Sequence, residues 1–243
     1  MIVLFTDFGL EGPYVGQMQA VLFQQVPEAK VINLFADAPG CNPRAASYLL
    51  AAYAPAFPEG SVFLCVVDPG VGSKQRAALI EADGRWFVGP DNGLLNTVIL
   101  QSQQVKWWDI SWRPDKPEQL SNSFHGRDLY APIAAMLEKG EMPVGESRLV
   151  HTRIRADMPG ELYEIIYIDH YGNAITGIKA GSLSGKEILQ VNGQLLLHAN
   201  TFSDVDEGKG MWYENANGLV EFAVNKGRAD EVFSMKIGDV VST

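Results

Sequence analysis

The chain has 243 residues, 47% of them hydrophobic, enough for one large domain or for a larger and a smaller one, each burying its own core. A formal charge of −10, with the 19 Lys and Arg residues scattered, disfavours a nucleic-acid partner, because phosphate binding needs clustered cations. No apolar run approaches the ~20 residues of a membrane span, and the first residues carry neither a basic region nor a small-residue cleavage site. The expectation is a soluble cytoplasmic protein without nucleic-acid or membrane partners. Cys41 and Cys65 are the two cysteines, and Cys65 lies in the apolar run 62–67, so no disulfide and no thiolate metal site is expected.

In chain order, residues 2–5 form a short apolar strand ending at Thr6-Asp7. Residues 14–25 then place Val15, Met18, Val21 and Leu22 at helical spacing. A second strand is expected at 31–35, a helix with Pro43 in its first turn at 43–53, and a third strand at 61–67. That third strand is apolar on both faces, which suits the centre of a covered, largely parallel sheet. Residues 79–82 and 85–88 flank Asp83-Gly84 as a hairpin, and helices are expected at 94–100 and 128–139, the latter ended by Gly140. From Glu161 onward the pattern changes to short β segments at 162–168, 187–191, 194–198, 219–224 and 236–241, with Asn192-Gly193 as a hairpin turn. The chain therefore reads as an α/β domain over 1–150, its largely parallel sheet flanked by helices, and a smaller all-β domain over 160–243.

Three segments set polar groups beside glycines at element ends. Asp7 follows the first strand and precedes Phe8-Gly9, so its carboxylate belongs at the carboxyl end of the sheet, where it can accept two hydrogen bonds from a ribose diol or cap the following helix. Val66-Val67-Asp68-Pro69-Gly70-Val71-Gly72 leaves Asp68 at a strand end, followed by Gln75 and Arg76, and an Asp68–Arg76 ion pair across the turn would be either functional or a structural staple. His125, between Phe124 and Gly126, opens a helix and is well placed to face a ligand. Further on, Asp169-His170-Tyr171-Gly172-Asn173 gathers a carboxylate, an aromatic face and an amide, which are also ordinary turn residues. Asp68, His125 and Asp128 are types that ligate metals, but no paired-histidine spacing accompanies them, and no metal is expected.

Taken in order, Thr6-Asp7-Phe8-Gly9 with Tyr14-Val15-Gly16, the Asp68-Pro-Gly-Val-Gly segment, Pro90-Asp91-Asn92-Gly93, Phe124-His125-Gly126-Arg127-Asp128 and Tyr171-Gly172-Asn173 closely resemble the S-adenosyl-L-methionine hydroxide adenosyltransferases, relatives of the fluorinases and chlorinases. The resemblance spans nearly the whole chain. It implies an N-terminal α/β and a C-terminal β domain, and a homotrimer with ligand sites between subunits. The implied reaction is that of S-adenosylmethionine with water, giving adenosine and L-methionine without a cofactor. It implies Asp68, Arg76 and His125 as the water-activating triad, Asp7 as the ribose carboxylate with Phe8 beside it, and Phe124 as an aromatic wall. Gly126 falls where the fluorinase group carries a halide-contacting serine, which favours water as nucleophile. Asp169, Tyr171 and Asn173 fall on the methionine and adenine side. Two departures from the pattern stand out. Gln75 occupies the place where an Arg is common, with Arg76 one residue later, and Asn215-Ala216 replaces an Asn-Ser pair. The alternatives are a binding module that holds S-adenosylmethionine or adenosine without turnover, and halide-dependent formation of a 5′-halo-adenosine.

Overall fold

The computed structural model describes the backbone of residues 1–243 and every side chain except that of Pro117. It divides into two compact units, Met1–Met158 and Pro159–Thr243.

The first unit alternates strand and helix: β1 (Ile2–Thr6), α1 (Tyr14–Gln25), β2 (Val31–Phe35), α2 (Pro43–Tyr53) and β3 (Val62–Val66). The hairpin β4 (Ala77–Ala82) and β5 (Arg85–Pro90) follows, then α3 (Asn96–Gln101) and β6 (Val105–Ile110). A π-type turn, Gly126–Tyr130, runs into α4 (Ala131–Glu138), and β7 (Gly145–Arg148) closes the unit. The seven strands form one sheet in the order β2-β1-β3-β5-β4-β6-β7. β2, β1, β3 and β5 form the expected parallel part of the sheet, and β4, β6 and β7 pair antiparallel, which makes the whole sheet mixed. The antiparallel half arises because Asp83 and Gly84 both take positive φ (46° and 76°), the conformation of a tight hairpin, and send β5 back beside β3. β6 and β7 lie outside the segments that the sequence pattern assigns to strands. Ile2, Leu4, Val62, Leu64 and Val66 alternate onto one face, where they pack with Met18 and Leu22 of α1 and Ile133 of α4. Their neighbours Val3, Phe5, Phe63 and Cys65 are equally buried, as strands covered on both faces must be.

The second unit holds two antiparallel sheets. β8 (Leu162–Ile168), β9 (Ala174–Lys179), β12 (Gly210–Glu214) and β13 (Leu219–Val224) are ordered β12-β13-β9-β8. β10 (Leu189–Val191), β11 (Gln194–Leu196) and β14 (Val241–Ser242) are ordered β11-β10-β14, and one short helix, α5 (Ala229–Val232), accompanies them. Asn192 and Gly193 take positive φ at the β10–β11 turn, as their pairing in the sequence predicts. Segment 236–241 is not a strand along its length, since Val241 and Ser242 form the ladder, at Val191 and Gln190, and Val240 adds a single bridge to Glu164. β9 and β12 escape the sequence reading, and in β9 the reason is Gly177, which breaks the β-branched pattern. A side-chain carbon there would stand 2.6 Å from Leu162 Cβ and 2.9 Å from its carbonyl oxygen, so only glycine lets β8 and β9 approach this closely. Gly177→Ala is expected to destabilise the protein by about 1–3 kcal/mol, read from the urea midpoint at unchanged slope.

Candidate active site

Parallel pairing sets the carboxyl ends of β1 and β3 side by side, with Thr6 in register with Val66. The chain leaves β1 toward β2 on one side and later returns to β3 on the other, so the crevice between the two ends is the topological switch point where open α/β sheets bind ligands. Asp7 and Asp68 stand at this crevice. With Phe8, Phe124, His125 and Gly126 they line one cavity of about 190 Å³, so six residues singled out in the sequence converge there.

Asp7 does not cap α1, whose N-terminus receives no side-chain hydrogen bond. Its Oδ2 instead accepts the Cys41 N–H at 2.9 Å, tying β1 to the loop before α2. Burial raises the Asp7 carboxyl above its ordinary value; the Cys41 N–H partly offsets this, and the nearby Asp68 charge adds to it.

Asp68 Oδ1 accepts two hydrogen bonds, from the Gly70 N–H at 3.2 Å and from Gln75 Nε2 at 2.9 Å. Its Oδ2 is buried with no protein partner. Arg76 is not brought to Asp68. It pairs with Asp91 Oδ2 at 3.1 Å, lies 4.0 Å from Asp109, and its side chain is 56% exposed. The cause is strand geometry. The Arg76 carbonyl accepts the Asp91 N–H at 3.0 Å, extending the β4–β5 ladder, and successive side chains of an extended chain point to opposite sides. Gln75 and Arg76 therefore part company, and the amide receives Asp68.

Phe8, Tyr14 and Phe124 form an aromatic cluster with centroids 5.3–5.7 Å apart, Phe124 meeting both other rings edge-on and Phe8 tilted against Tyr14. The Arg127 guanidinium lies 5.0 Å over the Phe124 ring and is itself paired with Asp128 at 2.6 Å, which braces this wall. Gly126 is needed for closeness: a side-chain carbon would meet Met18 Sδ at 3.0 Å and Phe8 at 3.2 Å.

Asp169, Tyr171 and Asn173 belong to the second unit and line a separate cavity there of about 680 Å³. Asp169 Oδ1 accepts the Asn173 N–H at 2.8 Å and its Oδ2 the Asn173 side-chain amide at 3.2 Å, fixing the β8–β9 turn. Tyr171 stands 73% exposed. The same cavity holds a residue the sequence reading passed over, Glu221 of β13, only 4% exposed. Tyr213 Oη donates to its Oε1 and Asn215 Nδ2 to its Oε2 at 3.0 Å. The signal was present in Leu219-Val220-Glu221-Phe222-Ala223-Val224, a carboxylate inside a strand buried at every position. Phe202, Lys226 and Arg228 also line this cavity and carry no local motif. Asn215 closes the β12–β13 turn by accepting the N–H groups of Asn217 and Leu219, and Ala216 is exposed in that turn. Among the described residues no group of three or more His, Cys, Asp and Glu is arranged to hold a metal ion.

Two family models match this chain, the SAM hydroxide adenosyltransferase N-terminal domain over residues 2–146 and its C-terminal domain over 163–242. The chain belongs to the SAM hydroxide adenosyltransferase family. Among the family's curated proteins, the (R)-S-adenosyl-L-methionine hydrolase of Thermus thermophilus is 36% identical, covering 98% of this chain and 96% of its own. The hydrolase of the same name from Salinispora arenicola is 34% identical over 96% and 94%. Fluorinases lie further off, at 23% identity for that of Nocardia brasiliensis. A solved structure, an uncharacterised conserved protein from Thermotoga maritima, superposes with a TM-score of 0.84 at 30% identity, covering 99% of this chain and 98% of that one. In this member of the family, burial raises the Glu221 carboxyl; hydrogen bonds from Tyr213 and Asn215 oppose the rise and the Asp169 charge adds to it. A carboxyl raised on folding stabilises fully below its unfolded pKa, and the contribution is lost as pH rises through the folded value. Melting temperature measured against pH should therefore fall across and just above the ordinary Glu range, and Glu221→Gln should flatten that slope.

Proposed function

We propose that the protein hydrolyses S-adenosyl-L-methionine at ribose C5′, giving adenosine and L-methionine. The observation that carries this reading is the convergence of Asp7, Asp68 and His125 on one cavity at the switch point of a chain that belongs to this family. Attack by water forms the O–C5′ bond while the C5′–S bond breaks, its electron pair returning to a sulfonium that leaves as a neutral thioether. The leaving group needs no acid. The nucleophile does need help, because it must shed a proton during or before attack. Asp68 Oδ2, buried without a protein partner, and the half-buried ring of His125 are the groups to orient that water and take up its charge. Arg76 enters this proposal only as a cation held one residue away on Asp91. Asp7 accepts the ribose hydroxyls, and the Phe8–Phe124 wall excludes bulk water from the reacting carbon. In the second unit Asp169, Tyr171 and Asn173 serve the methionine and adenine ends. The reaction uses no cofactor or metal, and the working form is a cytoplasmic homotrimer with ligand sites shared between subunits.

The names of both similar hydrolases specify the R epimer, and we extend this to the present chain. A sulfonium sulfur is a pyramidal stereocentre, so the substrate exists as two epimers that a shaped pocket can tell apart.

Incubation with S-adenosylmethionine in oxygen-18 water without halide should yield adenosine labelled at the 5′-oxygen, with the R epimer consumed first on chiral chromatography. Unlabelled adenosine, or ligand recovered intact, would overturn the reading. Asp68→Asn and His125→Ala should each lower kcat by at least about 100-fold with the fold intact. Because the Asp7 carboxyl is raised, adenosine affinity should weaken with falling pH at a higher pH than an ordinary aspartate would give, and that limb should disappear in Asp7→Asn. Light scattering should give three times the chain mass.

A further inference from the structure

We propose that Gln75 is the positioning residue of the site, holding the Asp68 carboxylate so that one chosen oxygen faces the nucleophile; this rests on the hydrolytic reading above. The two oxygens of Asp68 have unlike surroundings. Oδ1 is occupied by the Gly70 N–H at 3.2 Å and the Gln75 amide at 2.9 Å, and Oδ2 is buried with nothing from the protein bound to it. A buried carboxylate oxygen in a ligand cavity needs a hydrogen-bond donor, so Oδ2 is the atom placed to meet the reacting water. The carboxylate turns easily about its terminal torsion, and only its hydrogen bonds fix which oxygen points where. The Gly70 bond is the longer of the two and comes from a loop amide. The Gln75 bond is therefore the one that selects the rotamer.

The loop is built to present this amide. The Gln75 N–H bonds Ser73 Oγ at 3.2 Å, which sets the backbone just before β4. A side-chain carbon at Gly70 would lie 2.8 Å from Gln75 Oε1, so the absence of one there is what seats the amide against Asp68. Arg76 cannot substitute, because its side chain leaves on the opposite side toward Asp91. Gln75 orients through a neutral donor, and among the described residues the hydrogen bonds to Oδ1 come from two uncharged groups, the Gly70 N–H and the Gln75 amide.

The test compares wild type, Gln75→Ala, Gly70→Ala and Arg76→Gln in steady-state hydrolysis of S-adenosylmethionine, with crystal structures of the first three. Gln75→Ala should lower kcat about 10- to 100-fold while KM stays within about twofold, the signature of lost orientation rather than lost binding. Acetamide, which can place an N–H donor in the vacated space, should restore part of that kcat, and acetate should not. Gly70→Ala should lower kcat in the same direction, because displacing a flexible side-chain end is its cheapest accommodation. Full kcat in Gln75→Ala, or in a Gly70→Ala protein whose crystal structure has the amide displaced, overturns the proposal, as does loss of kcat confined to Arg76→Gln. If wild type itself shows no turnover, the hydrolytic reading fails, and Gln75 is judged from the crystals alone. An Asp68 carboxylate rotated in Gln75→Ala upholds its positioning role, and an unmoved one removes it.

Discussion

β1 is paired on both edges by parallel strands, Ile2 lying opposite Val31 on one side and Val62 on the other. Because the chain leaves β1 toward β2 on one side and later returns to β3 on the other, the carboxyl end of β1 lies at the switch point of the sheet, where a ligand can enter. Asp7 and Asp68 occupy it as neighbouring carboxylates; burial raises the Asp7 carboxyl, and the Asp68 charge adds to the rise. Carboxylates placed where they repel one another mark a binding site better than they mark a fold. The helices, the aromatic cluster and the hairpin all serve to hold those two strand ends in register.

Much of this was legible in the sequence because short-range patterns dictate it. Apolar runs ending in Asp7 and Asp68 announced strand ends, and Asp83-Gly84 and Asn192-Gly193 announced tight turns that need positive φ. What could not be read depended on distant pairing. Whether Gln75 or Arg76 meets Asp68 is decided by the point at which β4 locks onto β5, which no local pattern states. β9 was hidden by Gly177, whose purpose is visible only once Leu162 lies across from it. β6 and β7 complete the sheet through long-range partners, and they add antiparallel pairing to the parallel strands that the sequence pattern indicated.

The second unit stores its polar chemistry differently. Instead of an open strand end it uses a carboxylate inside a fully buried strand, with Tyr213 and Asn215 both directed at Glu221 and the Asp169–Asn173 turn close by. Asn215 at once closes a turn and donates to this carboxylate, so the backbone geometry of β12–β13 and the electrostatics of the cavity are set by one residue. A fully hydrogen-bonded buried network of this kind rigidifies its surroundings, and a single deletion leaves a partner stranded.

After the turn at 69–74, Gln75 and Arg76 lead into β4 along its ladder with β5, and their side chains alternate between two sides. Parity therefore governs the charge of the pocket. With β4 still locked onto β5, adding one residue between Arg76 and Ala77 would carry Arg76 into the place of Gln75 and trade the amide for the guanidinium against Asp68, converting a neutral clamp into a cationic one without altering any residue of the cavity itself. Loop length, rather than the identity of the residues lining the site, is the variable through which this scaffold can change the electrostatic character of its reaction centre.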